Sequence, residues 1–179
     1  MSPDTWSRTN RSRTIPRSRA LLRAGAALLC LAGCAHVTGH RYLVEVDPSF
    51  SPRDIEAIQD AALSWEAAVH GLELPLVIAS CHDITAGTIC IHASGASEVT
   101  ARSGVPMAEG HTDWNDVGGE TWMRVPSSRW FEQEVAHEMG HAMGLPHDRK
   151  GTLMYFSASG ESPTPTADDV AEWLAVRDL

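Results

Sequence analysis

The run His137-Glu138-Met139-Gly140-His141-Ala142-Met143-Gly144-Leu145-Pro146-His147 constrains this chain more than any other stretch. Residues four apart on an α-helix stand about 40° apart round the axis and roughly 6 Å apart along it, so His137 and His141 can aim their rings at one point. Had the helix run on, His147 would lie roughly 15 Å from His137 along the axis, against a metal–nitrogen bond of about 2.0 to 2.1 Å. For all three imidazoles to meet, the backbone must double back. Gly144 accepts the left-handed conformation that closes a helix, and Pro146 cannot resume it with a normal hydrogen bond.

Three protein nitrogens leave a fourth position open, which is the pattern of a catalytic rather than a closed structural zinc. Glu138 flanks the metal without being an obvious ligand and is placed to take a proton from water there. The plainer alternative is a surface helix with scattered histidines, and the spacing H-E-x-x-H-x-x-G-x-x-H argues against it.

That eleven-residue pattern resembles the metzincin metallopeptidases, in which the three histidines bind zinc, the glutamate is the catalytic base and a methionine turn lies under the metal. Met154, in Gly151-Thr152-Leu153-Met154-Tyr155, is the matching methionine. Leu153-Met154-Tyr155 looks most like the matrixin branch. Asp148 follows the third histidine, where matrixins usually carry serine or threonine and adamalysins aspartate. Phe156 stands where astacins and serralysins have a zinc-reaching tyrosine, so the resemblance implies no tyrosine ligand here. Met154 also reads as core filler, since methionine packs irregular gaps well.

At the amino end, Arg8, Arg11, Arg13, Arg17, Arg19 and Arg23 precede the apolar run Ala24 to Ala32. A basic segment followed by roughly ten apolar residues is a secretory signal, too short for a membrane span of about 20. It closes on Leu31-Ala32-Gly33-Cys34, which resembles the bacterial lipobox. That resemblance implies cleavage after residue 33, lipid on Cys34 and a tether over 34–40 leading to a catalytic domain over 41–179. An ordinary cleaved signal with Cys34 incidental is the alternative. The expected location is the cell envelope, and Ala35 after the cysteine favours the outer membrane in a Gram-negative cell.

The whole chain carries a formal charge of −9. Six of its fourteen basic residues lie in the leader against Asp4 alone of the acids, leaving 8 Lys and Arg against 22 Asp and Glu and a net charge of −14. Such a body is repelled by nucleic acid and anionic headgroups, and suits cationic or neutral peptides. Beyond Cys30 and Cys34 there remain Cys81 and Cys90, nine positions apart across Gly87. In an oxidising compartment they either close a small disulfide loop or stay as buried thiols.

The 146 residues from Cys34 onward are read as one domain with a single core, expected as a monomer. Arg41 to Val46 alternates as a strand. Ser51-Pro52 starts a long helix whose stripe is Ile55, Ile58, Ala62, Trp65 and Val69. Leu74 to Ala79, Thr88 to Ala93 and Glu120 to Val125 read as further strands, and Pro126-Ser127-Ser128 as the entry to the metal helix. On that helix Phe131, Val135, Met139 and Ala142 face away from the histidines. A last helix is expected from Ala167 to Arg177, begun by Thr166 and buried through Val170, Trp173 and Leu174. This order is an α+β plan, and the metzincin resemblance implies a small twisted sheet, a packing helix, an active-site helix and an edge strand that pairs with an extended substrate.

His111, Asp113, Asn115, Asp116 and Glu120 crowd into a glycine-containing segment read as a loop. Oxygen-rich loops can take calcium, but the spacing is not that of an EF-hand, and a solvated loop is the better reading. The expected activity is that of a zinc-dependent endopeptidase. The alternative is a catalytically silent zinc lipoprotein that holds a peptide or protein partner in the same cleft.

Overall fold

Alternating and three-four apolar patterns become a sheet and its packed helices in the computed structural model of this chain, which describes residues 40–81, 85–115, 118–155 and 163–177. The leader 1–33, Cys34, His36, His82, Asp116 and Phe156 lie outside them. In chain order the elements are β1 (His40–Arg41), β2 (Leu43–Val46), α1 (Pro52–Ala68), β3 (Leu72–Glu73), β4 (Leu76–Ile78), β5 (Thr88–Ser94), α2 (Ala96–Ser103), β6 (Gly110–Asn115), β7 (Gly118–Arg124), α3 (Phe131–Ala142) and α4 (Ala167–Arg177). Five strands pair in the order β4-β2-β5-β7-β6, parallel throughout except for the antiparallel β6–β7 hairpin, and β1 pairs with β3 apart from them.

α1 begins where a capping box predicts it. Ser51 and Asp54 satisfy each other's backbone amides, and Pro52 occupies the first turn, where its missing N–H costs nothing. Asp54 also accepts a 2.5 Å hydrogen bond from Ser127 Oγ, which ties the start of α1 to the segment leading into α3. Along α1 the stripe Ile58, Ala62 and Trp65 is buried, and the Trp65 indole donates to the Ala136 carbonyl of α3 at 2.8 Å. Burying that indole removes a large apolar surface from water while its one donor stays satisfied. Val44, Val46, Ile89 and Ile91 supply the sheet's share of the same core, and Phe131, Val135, Met139 and Ala142 the share of α3.

Several expectations need correction. The oxygen-rich segment is a hairpin, not a loop: β6 runs antiparallel to β7, and Asp113 stands opposite Glu120. Leu174 is 41% exposed, because the buried face of α4 is the narrow one carrying Asp169 and Trp173. The helix α2 has no counterpart in the sequence reading, since Val99 is its one fully buried residue and leaves almost no periodic signal. The strands over 41–46 and 74–79 are also shorter than predicted, with Tyr42 and Pro75 falling outside the ladders. Among the described residues, no helix is long and apolar enough to cross a membrane.

Candidate active site

α3 carries His137, Glu138 and His141 and then stops hard. Gly144 takes φ +91°, the Gly144 amide donates to the His141 carbonyl at 2.8 Å, and the Leu145 amide reaches back to the Gly140 carbonyl at 3.0 Å. These bonds satisfy carbonyls that a helix end otherwise leaves open, and they reverse the chain so that His147 returns to the first two histidines. Ring centroids of His137 and His141 are 4.6 Å apart, those of His141 and His147 4.6 Å, and those of His137 and His147 5.3 Å. One donor atom from each lies within 4.8 Å of the others.

This donor set fits a zinc ion. His137 Nδ1 bonds the Leu153 carbonyl at 2.7 Å and His141 Nδ1 bonds the Leu145 carbonyl at 2.6 Å. A carbonyl only accepts, so each Nδ1 carries the proton and each Nε2 keeps a lone pair for a metal. Burial holds all three imidazoles toward the neutral form that ligation requires. For His141, burial and the neighbouring His137 drive the pKa down to about 3.

The floor beneath these rings is tightly packed. Met154 is fully buried, and a Cβ added at Gly140 would meet its sulfur at 2.3 Å, so any side chain there would have to push Met154 out of place. Asp169, from the first turn of α4 and also fully buried, accepts from the amides of Leu153 at 3.0 Å and Met154 at 3.1 Å, and from Thr166. The same carboxylate therefore fixes the turn whose Leu153 carbonyl orients His137.

Glu138 points into a cleft of about 700 Å³ between α3 and β6. Burial raises its carboxyl to about 7, with Glu134 adding to the rise and a hydrogen bond from Thr112 opposing it. Thr112 Oγ1 donates to Glu138 Oε2 at 2.5 Å and lies 2.9 Å from the Thr121 hydroxyl. A carboxyl poised near neutrality and held by one donor can both accept and return a proton. Gly110 lets the strand approach this closely, since a Cβ there would meet Glu138 Cγ at 2.8 Å. Trp114 stacks on His141 at 5.7 Å with planes 10° apart.

The structure thus brings together His137, Glu138, His141, His147 and Met154. Cys81 and Cys90 lie apart from the cleft and are disulfide-bonded, with Cα atoms 5.8 Å apart. Within the hairpin His111 Nε2 contacts Asp113 at 3.2 Å, and the Asn115 side chain accepts from the Gly118 amide at 3.2 Å. Sequence reasoning missed Thr112, Glu134, Trp114 and Asp169. For Asp169 a signal was available, a Thr-x-x-Asp capping pattern from Thr166.

Residues 77–177 match the family described as Reprolysin_5, Metallo-peptidase family M12. No curated protein matches the chain. Among solved structures, archaemetzincin from Methanopyrus kandleri is 14% identical over 81% of this chain and 99% of that one, with a TM-score of 0.53, a likeness of fold. High choriolytic enzyme 1, a hatching enzyme zinc-protease from Oryzias latipes, is 12% identical over 62% of this chain and 47% of that one, with a TM-score of 0.39.

Proposed function

The chain belongs to the metzincin-type zinc peptidases of Metallo-peptidase family M12, and from that premise we propose that it is an endopeptidase with Glu138 as its general base. The observation that carries this reading is the Glu138 carboxyl, held by Thr112 beside three imidazoles whose free nitrogens converge. His137, His141 and His147 would hold the zinc, which supplies Lewis acidity toward a carbonyl and makes nearby water acidic. Glu138 accepts the proton of the attacking water and hands it to the leaving amine, and Thr112 keeps one carboxylate oxygen oriented while it does so. Among the described residues β6 pairs on one side only, with β7, and its other edge can add the backbone of an extended peptide as a further strand. Binding a peptide by its middle in this way is what favours cleavage within chains.

The matrixin likeness rests on Leu153-Met154-Tyr155 alone, and the M12 match adds nothing to it. We propose Met154 as the methionine turn on its packing against Gly140, whichever branch the chain falls in. For location, the six arginines, the apolar run and Leu31-Ala32-Gly33-Cys34 support export, with lipid on Cys34 anchoring the domain 41–179 to the envelope. Intact-mass measurement on protein purified from membranes tests this. An unmodified chain starting elsewhere than Cys34 removes the anchor.

The catalytic reading is tested by digesting a peptide library with the zinc-loaded protein, with and without chelator. Wild type should give chelator-sensitive internal cuts. Glu138→Ala should keep its zinc and lose about 10²- to 10⁴-fold in kcat, the usual weight of a general base. Unchanged turnover in the metal-loaded variant would remove Glu138 from the mechanism. Absence of cuts by zinc-loaded wild type would instead leave a zinc lipoprotein that only holds its partner.

A further inference from the structure

Beyond Glu138 the cleft continues toward the start of α3, and its wall there is anionic. Glu134 precedes Glu138 by four residues on the same helix, roughly 6 Å along the axis, and both line the cleft together with Glu109. Among the described residues no Lys or Arg lines it. Glu134 is 92% buried by the measure of its 8% exposure, and both its oxygens share one donor, the Ser128 hydroxyl, at 3.3 and 3.2 Å. A hydroxyl has one proton to give, so at most one of those oxygens is satisfied by it. Arg124 pairs with Glu109 at 3.5 Å, stays outside the cleft lining and reaches Glu134 only as the weakest of the influences on it. Glu134 is therefore a buried carboxylate that no direct ion pair holds among the described residues, one turn from Glu138.

The same cleft is also lined by the apolar Val105, Met107 and Ala108, with Met107 78% exposed. Lysine and arginine side chains have this same split character, an apolar stem with a cationic head. We propose that Glu134, with Glu109 at the rim, forms a subsite for a cationic side chain, so that the peptidase prefers arginine or lysine next to the bond it cuts. The stem lies along Val105, Met107 and Ala108 and the head meets the carboxylate, a charge-assisted pair shielded from water. Burial and Glu109 push the Glu134 carboxyl up to about 7 against the pull of Ser128 and Arg124, and a cationic head beside it would favour its charged form. The surplus of acid outside the leader adds long-range steering of cationic peptides.

This inference rests on the peptidase reading, and its test separates the two. Peptides identical except for Arg, Lys, Gln or Leu at each position flanking the scissile bond are compared by kcat/KM. At one flanking position the zinc-loaded wild type should favour Arg or Lys over Leu at least tenfold, and Glu134→Gln should bring that ratio close to one. A wild type that cuts the Leu and Arg peptides equally well overturns the subsite and leaves the peptidase intact. A binding arm uses zinc-loaded Glu138→Ala and titration calorimetry with the same uncut peptides. There the Arg peptide should bind at least tenfold more tightly than the Leu peptide, and equal affinities overturn the proposal. If no peptide is cut by wild type, the peptidase reading fails and this binding arm alone decides the subsite.

Discussion

The floor and the roof of the cleft are built on opposite principles. The floor, made of Gly140, Leu153, Met154 and Asp169, is buried, with Met154 packed so closely on Gly140 that a Cβ there would displace it. The roof is β6, where Asp113, Trp114 and Asn115 are exposed and Thr112 is the one buried residue. A dense floor holds three rings to a single geometry, because a packed interior resists deformation. An open strand edge keeps its backbone free for a peptide. The contrast implies that damage below removes the metal site, whereas damage above changes turnover or selectivity and leaves the metal in place.

Asp169→Ala is the hardest blow to the floor. It strands the buried Leu153 and Met154 amides and also frees the amide and hydroxyl of half-buried Thr166. Each orphaned buried group costs about 1 to 3 kcal/mol, so the loss in stability should reach about 3 kcal/mol or more. With Leu153 released, the carbonyl that orients His137 is no longer fixed, and zinc affinity should fall about 10- to 100-fold. Urea denaturation and competition with a chromogenic chelator measure the two losses. Normal zinc affinity in a destabilised variant would mean that α4 supports the fold but not the metal, and the contrast between floor and roof would lose half its content.

The two regions were also unequally legible in the sequence. His137, Glu138, His141 and the glycine turn at 144 could be placed from helix geometry alone, because four residues are nearly one turn and glycine tolerates positive φ. The long helix α1 announced itself through Ser51-Pro52 and its apolar stripe. β6 did not: Gly-His-Thr-Asp-Trp-Asn has no apolar alternation, since an edge strand over an open cleft buries one side chain in six. Its strand character comes from pairing with β7, which begins only three residues on at Gly118, and not from any alternation of its own. With the strand unrecognised, Thr112 could not be connected to Glu138, 26 positions away. Glu134 fell on a helix that was correctly predicted, but its lack of a direct ion pair depends on Arg124 pairing with Glu109, which periodicity cannot express. Asp169 reaches from another helix to the methionine turn, again a contact between segments rather than within one.

Thr112 is where the roof touches the chemistry, and substituting it is the finer test of the contrast. Thr112→Val keeps the shape of the side chain and deletes the hydroxyl that donates to Glu138, while also removing the partner of Thr121. A hydrogen bond to a charged group is worth about 1.5 to 3 kcal/mol, so kcat should fall about 10- to 100-fold if that bond orients the base during proton transfer. Zinc content should stay at one ion per chain and KM should change little, since the metal site rests on the floor and the peptide backbone on the strand edge. Thr112→Ser, which restores the donor without the methyl group, should recover most of kcat. A variant series in which valine and serine lose turnover equally would assign the effect to packing against Thr121. Loss of zinc from Thr112→Val would show instead that β6 helps to hold the imidazoles through Glu138, so that roof and floor form one unit and the division drawn between them fails.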